Sequence, residues 1–194
     1  MERFHHAFST GEFKGNVLTL ALVLLSTISI QCVNTGAFGW SHTSTLAMEI
    51  GGKSNQYEDN ETVLKKAITH VVKCDVSKEN LIDLLVIKQA DCLVIFSVLE
   101  AISKDRDDFV RNLRKLSKLL KCGVHIIIYC GLNVTYFMVQ GERFHTFKNK
   151  KHILGSELAN EGFVINHWEV FQRTSESHLT DFDSAVFCMA IKEK

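Results

Sequence analysis

Val124-His-Ile-Ile-Ile-Tyr129 limits what this chain can fold into more than any other segment. A continuous β-branched run of this kind belongs to a strand covered on both faces, and such strands are those of parallel sheets flanked by helices. The residues before it fit that setting. Phe109, Leu113, Leu116 and Leu120 share one face of a helix predicted over about Asp105 to Leu120. Asp105, Asp107 and Asp108 load its first turn, and Lys115, Lys118 and Lys121 its last, each sign on the side the helix dipole favours. Upstream lies another apolar strand, Asp91–Val98, and Gly123 is the predicted turn from the helix into the run.

The rest of the chain extends the alternation. A loop rich in Gly, Ser, Thr and Asn runs from Asn34 to Tyr57, with a short strand at Thr45–Ile50. Asp59 or Asn60 can cap a helix carrying Val63, Leu64, Ala67, Ile68 and Val71, which leads into a short strand, Val71 to Asp75. Thr135–Val139 and Arg143–Phe147 form a hairpin around Gln140-Gly141. A helix from about His152 to Glu161 follows, with Gly162 as its C′ residue. Phe163–Phe171 and Ala185–Ile191 have no helix between them and should pair antiparallel. Val17–Ile30 carries no charge and admits three readings. It is short for a membrane span, it has the length of a signal-peptide core, and it suits a buried strand and its continuation. The last is the expectation carried forward, with membrane association set aside.

Lys plus Arg and Asp plus Glu each total 22, so the net charge is zero and no cationic excess points to nucleic acid. The one basic cluster, Lys148-Asn149-Lys150-Lys151, reads as a solvated turn before a helix. The 6 cysteines form no C-x-x-C pair and lie in apolar runs, as buried thiols of a reducing compartment do. No metal site is expected. The sequons at Asn60 and Asn133 matter only on a secretory route. At 194 residues a single domain over 1–194 is expected.

Several stretches together resemble the nicotinamide, indolethylamine and phenylethanolamine N-methyltransferase family. They are Leu64 to Val76, Ala90-Asp91-Cys92, Asn112 to Lys121, Tyr136-Phe137-Met138 and Gly141-Glu142-Arg143-Phe144. Gly36-Ala37-Phe38-Gly39-Trp40-Ser41 resembles a family segment before its middle strand, and Phe8 to Gly15 its lead-in to the first strand. The family-like portion is residues 34–194, behind a divergent segment, 1–33. The resemblance implies an α/β, Rossmann-like class I methyltransferase sheet, parallel with an antiparallel C-terminal pair. It also implies S-adenosyl-L-methionine as cofactor, a small amine or pyridine as methyl acceptor, and a cytoplasmic location. By the same likeness, Asp75 and Val76 contact the adenine of the cofactor. Phe137 lies against the acceptor ring, and Thr146 supplies a hydroxyl near it. No catalytic residue is implied, since a pyridine nitrogen has a free lone pair and the transfer depends on orientation.

The chain also departs from that family. Members carry a glycine-rich turn after the first strand, an acidic residue after the second and a tyrosine-bearing N-terminal helix. Here no glycine occurs from Asn16 to Thr35. Cys130 stands where the nicotinamide-specific relative has an aspartate, and Phe96 where a small hydroxyl residue is usual. Two functions follow: an N-methyltransferase of small amines or pyridines, or a catalytically inactive relative acting as an interaction module.

Overall fold

The computed structural model describes residues 17–21, 66, 74–76, 78–81, 88–139, 141–174 and 176–194. The chain divides into two compact units, one of residues 1–14 and 23–73 and the other of residues 15–22 and 74–194. All described residues except Lys66 belong to the second. The predicted loop over 34–57, most of the helix from Asp59 and residues 22–30 of the uncharged run lie outside the described residues.

Within the second unit, β1 (Val17–Ala21), β2 (Ala90–Phe96), β3 (Leu120–Leu132), β6 (Phe163–Gln172) and β7 (Ser184–Lys192) form one sheet in the order β1-β2-β3-β7-β6. β1, β2 and β3 run parallel, and β7 lies antiparallel to both β3 and β6. The uncharged run thus supplies a strand at Val17–Ala21, as expected. β4 (Tyr136–Val139) and β5 (Glu142–His145) make the predicted hairpin, turning at Gly141 with φ +87°. A conformation with positive φ suits a residue without Cβ.

The helix α1 (Arg106–Ser117) starts where its sequence says. Asp105 caps it, its Oδ1 accepting from the Asp108 amide at 2.8 Å, and Phe109, Leu113, Leu116 and the following Leu120 are wholly buried. Its far end is held from the sheet, where Lys192 Nζ donates to the Ser117 and Leu120 carbonyls at 2.7 and 3.1 Å. Orphan carbonyls at a helix C-terminus are thereby satisfied by a cation. The second helix, α2 (Lys151–Asn160), buries Leu154 and Leu158 and ends before Gly162, whose φ is +82°. Arg106 reaches across from α1 to the buried Glu157 of α2, and this hydrogen bond holds the Glu157 carboxyl below the usual range.

Gly123 departs from expectation. It does not end a turn but sits inside β3 at φ +79°, and β3 begins three residues earlier at Leu120. The register against β2 jumps there, from Ala90 opposite Leu120 to Cys92 opposite His125. Such an irregularity absorbs extra residues in one strand of a pair.

Candidate functional site

Parallel strands bring their carboxyl ends to one edge of the sheet, and ligands bind in the crevice beyond it. Ala21, Phe96 and Tyr129 stand level there, in register across β1, β2 and β3. Just past this line the backbone takes two uncommon turns. Ser97 has φ +48° and Asn133 φ +58°, a region that non-glycine residues seldom visit and that clusters at functional sites. The Ser97 amide is tied to the Tyr129 carbonyl at 2.8 Å, so the chain leaving β2 is fastened to β3 as it turns.

A cleft of about 360 Å³ opens at this edge. Its lining is mostly apolar and includes Tyr129, Phe137, Met138 and Phe182, with Glu100, Thr146 and Gly131 among them. Phe137, from the hairpin, stacks on Phe144 with ring centroids 5.3 Å apart. Thr146 directly follows β5, and its amide is bonded to the Thr135 carbonyl at 3.0 Å.

Glu100 and Thr146 are the buried polar residues of the cleft. Each is 2% exposed. Glu100 Oε1 accepts from the Gly131 amide at 3.2 Å, while Oε2 has no hydrogen-bond partner, and neither has Thr146 Oγ1. Buried polar atoms are nearly always paired, so two unpaired ones at a single cleft make it the candidate site. Burial pushes the Glu100 carboxyl up to about 7, against the lowering pull of backbone hydrogen bonds. Near neutrality Glu100 can thus be a carboxylate that accepts from an N–H or an acid that donates. Its backbone takes part as well, since the Phe147 amide donates to the Glu100 carbonyl at 2.8 Å and so sets Thr146 beside it.

Of the four residues singled out from the sequence, the structure brings Phe137 and Thr146 together in this lining. Asp75 and Val76 are not part of it. They stand in a turn in which the Asp75 amide donates to the Leu81 carbonyl at 2.8 Å and the Lys78 amide to the Asp75 carbonyl at 3.2 Å. Lys115 Nζ, in the last turn of α1, holds the Val76 carbonyl at 3.0 Å and that of Lys78 at 2.9 Å. Phe96 is 41% exposed beside Tyr129 and does not line the cleft. Cys130 is buried beneath the cleft, near Asn149 Nδ2 at 3.6 Å, and its thiol is pushed far up, first by burial and then by the Glu100 charge.

Sequence reasoning missed Glu100. The only signal was a carboxylate one residue beyond the apolar Val98-Leu99 pair at the end of a buried strand.

Known proteins resemble this chain in sequence and in fold. The model of the NNMT/PNMT/TEMT family matches residues 31–193. Nicotinamide N-methyltransferase of Homo sapiens is 26% identical over 156 residues, covering 80% of this chain and 59% of that protein. Indolethylamine N-methyltransferase of Mus musculus is 28% identical over 130 residues, covering 67% and 49%. The chain spans about half the length of the curated relatives it matches. Among solved structures, the 1,6-didemethyltoxoflavin-N1-methyltransferase of Burkholderia thailandensis superposes with a TM-score of 0.56 at 12% identity, over 100% of this chain and 76% of that one. An S-adenosylmethionine-dependent methyltransferase of Clostridium acetobutylicum gives 0.55 at 12% identity, over 99% and 89%. At such identity the likeness is one of fold, and the fold is the class I methyltransferase sheet.

Proposed function

This chain belongs to the NNMT/PNMT/TEMT family, and from that premise we propose that it is an S-adenosylmethionine-dependent N-methyltransferase of a small amine or pyridine. The observation that carries the proposal is the cleft at the carboxyl ends of β2 and β3, lined mostly by apolar side chains and backed by two buried polar atoms without a partner, Glu100 Oε2 and Thr146 Oγ1. Its lining suits a compact ring, with Phe137 against the ring face and two polar groups to orient it. Glu100 accepts an N–H of the acceptor when ionised, and Thr146 can either donate or accept. S-adenosylmethionine would supply the methyl group as a sulfonium. The protein's share is to hold the acceptor nitrogen in line with it, which is an effect of orientation and of excluded water.

Asp75 and Val76 are assigned the adenine end of the cofactor on the family resemblance alone. A cytoplasmic setting goes with the proposal, and the free thiols of the five described cysteines suit a reducing compartment. The second reading, an inactive relative serving as an interaction module, draws on the glycine-free stretch from Asn16 to Thr35. Close approach of backbone to a ligand is what glycine permits.

Titration calorimetry with S-adenosylmethionine separates the two. Saturable binding in the micromolar range, weakened by Asp75→Ala, supports the methyltransferase. Absence of heat at millimolar cofactor would leave the inactive relative.

A further inference from the structure

β6 and β7 are antiparallel neighbours that a tight turn could join, yet residues 173–183 intervene. This strap returns across the hairpin and places Leu179, Thr180 and Phe182 in the lining of the cleft. On the hairpin side its bonds are regular. The Met138 amide donates to the Leu179 carbonyl at 2.8 Å, and Phe137 and Thr180 form an antiparallel bridge. Asp181 accepts from the Thr135 amide at 2.8 Å, the Thr135 hydroxyl at 2.5 Å and the Tyr136 amide at 3.3 Å. The Asp183 amide donates to the Leu132 carbonyl at 3.1 Å. At Gly131 the fit is close, since a Cβ there would meet Phe182 Cβ at 3.3 Å.

The strap's inward carbonyls are gathered by one side chain. Arg173 Nη1 donates to the Thr180 carbonyl at 3.1 Å and the Phe182 carbonyl at 3.2 Å, and Nη2 to the Ser177 carbonyl at 3.1 Å. The same guanidinium lies 4.9 Å over the Phe182 ring, and the Arg173 amide donates to the Asp183 carbonyl at 3.1 Å. Loop carbonyls without a sheet partner need donors, and the planar guanidinium fork serves three of them from one fixed orientation.

We infer that Arg173 is a positioning residue, a latch that folds the 173–183 strap into the outer wall of the cleft and so limits the size of acceptor it admits. The size limit rests on the reading of the cleft as the acceptor site, whereas the latch itself rests on the bonding alone.

Hydrogen exchange on the full chain tests the latch. Arg173→Ala should speed exchange of the Met138 and Asp183 amides about tenfold, while the Ile127 amide inside β3 keeps its rate. Arg173→Lys keeps the charge, loses the fork and should resemble the alanine variant. Unchanged exchange at Met138 and Asp183, or full rescue by lysine, would overturn the latch. The wall is tested by NMR titration with nicotinamide, phenylethanolamine and tryptamine as probes. In Arg173→Ala the Kd ratio of tryptamine to nicotinamide should fall about fivefold, since an opened pocket discriminates size less. A ratio that holds while exchange quickens would remove the wall role. If no probe binds the unaltered chain, it is the acceptor reading that fails, and exchange alone then upholds or overturns the latch.

Discussion

The cleft and the Asp75 turn are held in place by unequal means, although the family resemblance assigns both to one catalytic unit. The cleft grows out of the sheet. Its floor is the end of β2 and β3, flanked by Leu93, Ile95, Ile126 and Ile128, all at 0–1% exposure. The turn at Asp75 and Val76 is half-buried, and the Lys115 ammonium of α1 holds two of its carbonyls. Geometry set by a packed core moves only when the core opens, whereas a half-buried turn can open by itself. The expected contrast is a cleft that opens only with the core and a turn that opens without it.

The largest effect expected from breaking this contrast is in the core under the cleft. Phe109 is wholly buried, and its ring lies 5.3 Å from that of Phe147, the residue that ties Thr146 to Glu100. Phe109→Ala should lower stability by about 3–5 kcal/mol in urea unfolding and shift the Thr146 and Gly131 amide resonances. A loss below about 1 kcal/mol would show that the cleft does not depend on the core beneath it.

Next in size is the pH response of Glu100. Its carboxyl is raised from 4.5 to about 7 in the folded chain. A raised carboxyl favours folding in its neutral form, so this stability is fully present below the ordinary value and fades as the pH rises through about 7. The difference amounts to about 3 kcal/mol. Thermal unfolding from about pH 5 to about pH 8 should show the decline, and Glu100→Gln should flatten it. A wild-type profile as flat as that of the glutamine variant would mean that Glu100 is not buried as described.

The smallest effect should come from Lys115→Met. Losing its bonds to the Val76 and Lys78 carbonyls should cost about 1 kcal/mol or less globally. It should still quicken exchange of the Asp75 and Lys78 amides while leaving Met138 and Asp183 unchanged. Equal changes in both places would mean that the turn and the cleft open as one unit.

What could be read from the sequence follows the same division. The start and the apolar face of α1 were readable, because the Asp105 cap and the apolar spacing are local. Its end was read too late, since the helix stops at Ser117, and Leu120 and Lys121 belong to β3. The hairpin was readable from Gly141, and the antiparallel pair from the lack of a helix between its strands. The irregularity at Gly123 was not, because it is set by how Ala90 and Cys92 sit opposite β3, and that register is a long-range property. Glu100 was hidden for a related reason. A carboxylate after a strand looks like an ordinary solvated turn residue, and only the packing of Phe147 and Gly131 around it makes it a buried acid. Phe137 and Thr146 came from resemblance, and no local pattern would have singled them out. Arg173 gave no signal, since its three carbonyl partners are defined by a loop conformation.

The strand order carries a consequence for synthesis. β7 lies between β3 and β6, yet it is made after both. The parallel trio β1-β2-β3 can pair while translation continues, but until β7 leaves the ribosome β3 keeps an open edge and β6 has no neighbour in the described sheet. Unpaired edges of this kind recruit other strands. A growing chain of this protein therefore passes through an interval in which two edges await one late strand, and a truncation before Ser184 would prolong that interval indefinitely.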